Sequence, residues 1–151
     1  MTLKPWAAWA RWLALLACAT LLACSDKSGP PPLTLSVHPA LEARVVKLWT
    51  HGGSAPLASL TDFEWDSVAV FHQGTSAAVI HAALGQKVLG EQPRFTQATN
   101  LLVFRLKGQP VRLVMNSSDL FADTDQGRWF GRGLVLGTRT PGEGVLRLSQ
   151  R

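Results

Sequence analysis

Cysteine is nearly absent from this chain. Cys18 and Cys24 are the two among 151 residues. Everything after residue 24 therefore lacks a disulfide staple, a thiol nucleophile and any cysteine-based metal site. Neither H-E-x-x-H nor G-x-S-x-G occurs, so the signatures of zincin-type metalloproteases and of α/β-hydrolases are missing. No acid precedes Asp26. The apolar run Trp12 to Leu22 falls short of the roughly 20 residues a membrane-spanning helix needs, and Arg11 blocks its backward extension. There is no internal repeat, and the one low-complexity stretch is Ser25 to Pro32. Charge is mild. The chain carries +5, and Lys4 and Arg11 at its start account for two of these, leaving +3 beyond them. A nucleic-acid binder would show a clustered basic face instead. The excess offers at most a weak attraction to anionic lipid or acidic cell-wall polymer.

What is present starts with the N-terminus. Lys4 and Arg11 form a positive n-region, Trp12 to Leu22 an apolar core of export-signal length, and Ala23 a small residue before Cys24. Leu21-Leu22-Ala23-Cys24 resembles the lipobox of bacterial lipoproteins. The resemblance implies that the leader is cut before Cys24 and that this cysteine carries palmitate-type acyl chains. One short acyl chain binds marginally, at about 0.8 kcal/mol per buried methylene, whereas two or three chains anchor effectively for good. A second match, Leu15-Leu16-Ala17-Cys18, leaves only Trp12 to Leu16 as apolar core. Cys18 is thus expected to leave with the leader. Trp6, Trp9 and Trp12 suit the membrane–water boundary. By resemblance to enterobacterial lipoproteins, Ser25 after the cysteine implies sorting to the outer membrane, facing the periplasm.

Three segments follow: a leader at 1–23, the lipidated cysteine with a proline-rich tether at 24–33, and one globular domain at 34–151. Pro30 to Pro32 favour an extended spacer of about 3.1 Å per residue, a lift of roughly 20 Å for the whole tether. Leu41, Val45, Leu48 and Trp49 share one helical face and predict a helix from Pro39 to Thr50, stopped by Gly52-Gly53. Ser67 to Phe71, with Val68 and Val70, predicts a strand. Thr75 or Ser76 caps a second helix, Ala77 to Leu84, ended by Gly85 and buried through Val79, Ile80, Ala83 and Leu84. Gln86 to Thr99 reads as loop. Leu101 to Leu106 and Val111 to Met115 predict a hairpin with Gly108 first in a II′ turn. That register pairs Leu106 with Val111, Phe104 with Leu113 and Leu102 with Met115. It also sets Arg105 opposite Arg112, with Lys107 next along the same face. Leu134 to Thr138 and Val145 to Ser149 predict further strands around a turn at 141–144. The fold class expected is α+β, a small antiparallel sheet with a central hairpin packed against two helices.

Leu60 to Phe71, with Asp62, Trp65 and Asp66, is similar to a pattern in a family of small uncharacterised bacterial envelope proteins. There such a stretch enters a strand, then a turn and short helix, then a hairpin like Asn100 to Phe104 with Lys107 to Val111. The match departs at His72-Gln73-Gly74. It implies a fold and no catalytic residues.

The candidate chemistries are sparse. His38, His51, His72 and His81 have no ligand spacing, although His72 and His81 flank the second helix. Asp123-Thr124-Asp125-Gln126-Gly127 starts like a calcium loop but puts Arg128 where glycine and Leu134 where glutamate belong. His51-Gly52-Gly53-Ser54 is read as a helix stop rather than an oxyanion loop. Arg128-Trp129-Phe130-Gly131-Arg132-Gly133 interleaves basic and aromatic residues as single-strand binders do, yet it is one short run and is read as core edge. Trp49, Trp65 and Trp129 are read as core. The like-charged pair Arg105 and Arg112 would destabilise a hairpin, so both are expected to splay into water; the alternative is a bridge by an anion or a carboxylate, from Asp62, Glu64 or Asp66 or from a partner. With Lys107 the two arginines form the candidate interaction site. No cofactor, metal or nucleic acid is expected. The function expected is a non-enzymatic envelope interaction or accessory module, anchored by lipid on Cys24 and meeting an envelope protein. The alternative is a hydrolase of glycan or peptide using Asp62, Glu64 or Asp66.

Overall fold

The computed structural model describes residues 33–116, 120–122 and 126–150. The leader, Cys18, Cys24, all of the tether before residue 33 and Asp123 to Asp125 of the suspected calcium loop lie outside the described residues. Eleven elements follow in order. They are β1 (Leu35–Val37), α1 (Pro39–His51), β2 (Gly53–Pro56), α2 (Leu57–Leu60), β3 (Ser67–Phe71) and α3 (Ala77–Leu84). Then come β4 (Asn100–Leu106), β5 (Gln109–Asn116), β6 (Trp129–Gly131), β7 (Leu134–Thr138) and β8 (Arg147–Gln150).

The content is mixed, with more strand than helix, and the sheet is larger than expected. Five strands make one sheet in the order β1-β5-β4-β3-β6, and three make a second, β2-β7-β8. The larger sheet is not wholly antiparallel, because β1 runs parallel to β5. One of the unexpected strands has a weak strand signature. β2 is Gly-Ser-Ala-Pro, poor in strand formers, and exists through its pairing with β7.

α1 follows its apolar period. Leu41 and Val45 are buried, and Leu48 and Trp49 pack at the margin. His38 caps its start, the Leu41 N–H donating to His38 Nδ1 at 3.2 Å. Gly52 ends it at φ +80, with its N–H donating to the Leu48 carbonyl. In α3, Ser76 is the cap and Gly85 adopts the left-handed conformation that favours glycine. The buried set there is Ala77, Ile80 and Leu84. Val79, expected inside, is 52% exposed; a helix on a flat sheet buries a narrower stripe than the period alone suggests.

The larger sheet is covered on both faces. Val68, Val70, Leu102, Phe104, Val114 and Phe130 look toward α1, α2 and the second sheet, forming one core with Leu134, Leu136 and Leu146. Ala69, Phe71, Leu101, Val103 and Leu113 form a second core with α3 and with Leu89 and Phe95 of the 86–99 loop. Residues 32–151 make one compact unit that contains both cores. This arrangement corrects the hairpin register. Leu102 pairs with Val114, Val103 with Leu113 and Phe104 with Arg112. A shift after Phe104 then pairs Arg105 with Pro110 and Leu106 with Gln109, leaving Val111 as the extra residue of a bulge. The turn is Lys107-Gly108 with both φ positive, 54 and 75, the signature of a I′ turn rather than II′. The expected register assumed one wet face. β4 is buried on both sides from Asn100 to Phe104, so its own pattern does not tell one register from the next, and the turn decides.

Candidate functional site

The corrected register separates the three cations read as an interaction site. Cross-strand partners share a face, so Arg112, opposite Phe104, lies on the α1 side and Arg105, opposite Ser67, lies on the α3 side. Arg112 is exposed, its guanidinium carbon 4.6 Å from the Phe63 ring centre. Arg105 is half-buried. Its Nη2 donates to the Ala83 carbonyl in the last turn of α3, and its guanidinium lies 3.8 Å from the Trp129 ring centre. A helix end leaves such carbonyls without internal donors, and a cation there also meets the negative end of the helix dipole. The expectation that Arg105 splays into water is therefore corrected. Lys107 stands at the exposed hairpin tip, where its backbone N–H donates to Asp66 Oδ2.

The three acids are likewise dispersed by their partners. Asp66 holds the hairpin turn and accepts from Ser67 Oγ at 2.9 Å. Asp62 Oδ1 lies 3.1 Å from His38 Nε2. Glu64 is exposed. The Leu41 N–H occupies His38 Nδ1, which leaves the ring proton on Nε2, facing Asp62.

The histidines take separate partners. His72 is buried, with Nδ1 2.9 Å from Asn100 Nδ2. His81 Nε2 accepts from the Leu89 N–H at 3.4 Å. Among the described residues no group of three or more His, Cys, Asp or Glu is placed to hold a metal ion. Asn100 was missed in the sequence, yet it is fully buried and ties three segments together. Its Oδ1 accepts the Leu120 and Phe121 N–H groups at 2.8 and 3.2 Å while its amide meets His72.

The aromatic residues divide by depth. Trp65 is buried, donating through Nε1 to Thr61 Oγ1 at 2.9 Å. Trp49 and Trp129 are half-buried, and Trp49 Nε1 donates to the Gly144 carbonyl at 3.1 Å. The run Arg128 to Gly133 is explained by β6. Phe130 enters one core, Trp129 packs against the other, and Arg132 Nη1 donates to the Trp65 carbonyl at 2.8 Å.

Two hollows are found among the described residues, one of them on α1. A hollow of about 270 Å³ is lined by Arg44, Lys47, Leu48, His51, Gly52, Ala55 and Leu60. Arg44, Lys47 and His51 recur at helical spacing and are exposed. Gly52 turns the chain back, so that Ala55 of β2 and Leu60 of α2 join Leu48 as an apolar floor. Arg44 Nη1 donates to the Leu60 carbonyl at 2.9 Å and closes one side. No acid among the described residues lines this hollow. A second hollow of about 300 Å³, at Thr138 to Arg147, mixes two arginines with Glu143. The 44, 47, 51 spacing was the readable signal for the first hollow; its floor comes from a turn and a strand with no pattern of their own.

No protein-family model, no curated protein and no solved structure matches the chain.

Proposed function

We propose that this protein is a non-enzymatic binding module of the bacterial cell envelope, held by lipid on Cys24 at the outer membrane and facing the periplasm. The observation that carries the binding role is the hollow on α1. Arg44 and Lys47 stand beside the apolar Leu48, Ala55 and Leu60, and no acid among the described residues lines the hollow. Such a surface recognises and holds, with few polar groups fixing orientation above apolar contact. Of the three acids that a hydrolase would use, Asp62 and Asp66 are taken up in holding His38 and the hairpin turn, and Glu64 stands exposed. The lipobox-like Leu21-Leu22-Ala23-Cys24 supplies the anchor in this reading.

Two measurements test it. The intact mass of protein extracted from bacterial membranes is expected to show an N-terminus at Cys24 carrying acyl chains, and Cys24→Ser is expected to abolish membrane retention. A photo-crosslinking residue at Ala55, inside the hollow, is expected to capture a specific species in cells that the same probe at Val79, exposed on α3, does not. Unmodified protein of full length, or equal capture from both positions, would overturn the corresponding half of the proposal.

A further inference from the structure

We infer that the α1 hollow binds an anionic amphiphile, with its acidic headgroup between Arg44 and Lys47 and its first methylenes on Leu48, Ala55 and Leu60. This rests on the binding-module reading and names its ligand.

Charge comes first. Among the described residues neither Arg44 nor Lys47 makes an ion pair with a carboxylate. Arg44 spends one Nη on the Leu60 carbonyl, and the rest of its five-donor fork stays available for a phosphate or carboxylate oxygen. Lys47 adds three rotatable donors one helical turn away.

Apolar surface comes second. A basic residue in the last turn of a helix also favours its dipole, and that alone explains His51. It does not explain why Leu48, Ala55 and Leu60 line an open hollow beside Arg44 and Lys47. A free inorganic anion makes no use of that floor, and a neutral apolar ligand makes no use of the rim; an amphiphile uses both.

Size comes third. At about 270 Å³ the hollow sits just below the roughly 300–1,000 Å³ of sites that enclose a drug-sized ligand. It takes the headgroup end of a lipid and leaves the rest of the chain outside. A protein partner needs a broad face, about 800 Å² on each side. The exposed large apolar residues Val37, Val79, Val111 and Val145 are spread over separate segments, and none lines this hollow.

The test uses residues 32–151, which contain both cores. The segment is titrated below micelle-forming concentrations with dodecyl phosphate, dodecyl maltoside and inorganic phosphate, and backbone amide shifts are followed by NMR. Dodecyl phosphate is expected to give saturable shifts at Leu48, Ala55 and Leu60, with binding at least tenfold tighter than either other probe. Lys47→Glu is expected to weaken that binding at least fivefold with unchanged thermal midpoint, and Arg44→Gln to act in the same direction. Equal binding of the maltoside, equal binding of inorganic phosphate, shifts away from the hollow, or no shift would each overturn the inference. The in-cell probe at Ala55 separates the two readings. Specific capture of a protein instead of a lipid leaves the binding module standing and removes the amphiphile; no capture above the Val79 control removes both.

Discussion

Arg105 and Asn100 show how a polar side chain inside a fold is worth more than its sequence context suggests. Arg105 joins the Ala83 carbonyl to the Trp129 ring. A hydrogen bond from a charged donor contributes about 1.5–3 kcal/mol, and an exposed cation–π contact adds about 0.5–1 kcal/mol. Arg105→Ala is expected to cost about 2 kcal/mol by urea unfolding, allowing for partial exposure. Arg105→Lys should recover less than half, since an ammonium lacks the planar fork that reaches both partners. Val79→Ser, by contrast, should stay within about 0.5 kcal/mol. Asn100→Ala strands the Leu120 and Phe121 N–H groups, and a loss of about 3 kcal/mol is expected in the same assay. Neither role was legible from neighbouring residues. Arg105 depends on a strand register and on Trp129, and Asn100 on backbone groups twenty residues along the chain.

At the scale of elements, local chemistry read well wherever it decided the outcome. β3 and α3 begin and end where β-branched residues, a serine cap and a stopping glycine place them. The hairpin was legible as a hairpin and illegible in register, because β4 is buried through Leu101, Leu102, Val103 and Phe104 alike. The Lys107-Gly108 turn fixes it instead. Lys107 occupies φ 54, a conformation that costs a residue with a Cβ about 1–2 kcal/mol. Lys107→Asn, giving the Asn-Gly pair that I′ turns favour, is expected to stabilise by about 0.5–1 kcal/mol. Gly108→Ala should destabilise by about 1 kcal/mol or more, read as a lowered thermal midpoint. The elements that escaped prediction are short: β1, β2, α2 and β6 have three or four residues each, too few for a period to show.

For the whole molecule, the central fact is a sheet with a core on each side. Phe104 sits fully buried against Phe63 and Trp65, with ring centres 4.9 and 5.5 Å away. Phe104→Ala is expected to cost about 3–5 kcal/mol by chemical denaturation. Amide exchange should be slowest in β3 and β4, which both cores protect, and fastest in the edge strands β1 and β8. The α1 hollow belongs to this scale too. Its cations could be read along α1, whereas its floor required Gly52 to fold β2 and α2 back against the helix. The edge position of β1 has a mechanical meaning. It is the first described strand after residue 33, three residues long and joined only to β5. A domain hung from its N-terminus would take any pull on this strand first. Peeled away, β1 would pay out roughly 10 Å of chain before the load reached α1, so the strand would act as slack that yields ahead of the helix, at the expense of the Leu33 and Leu35 contacts with the second core.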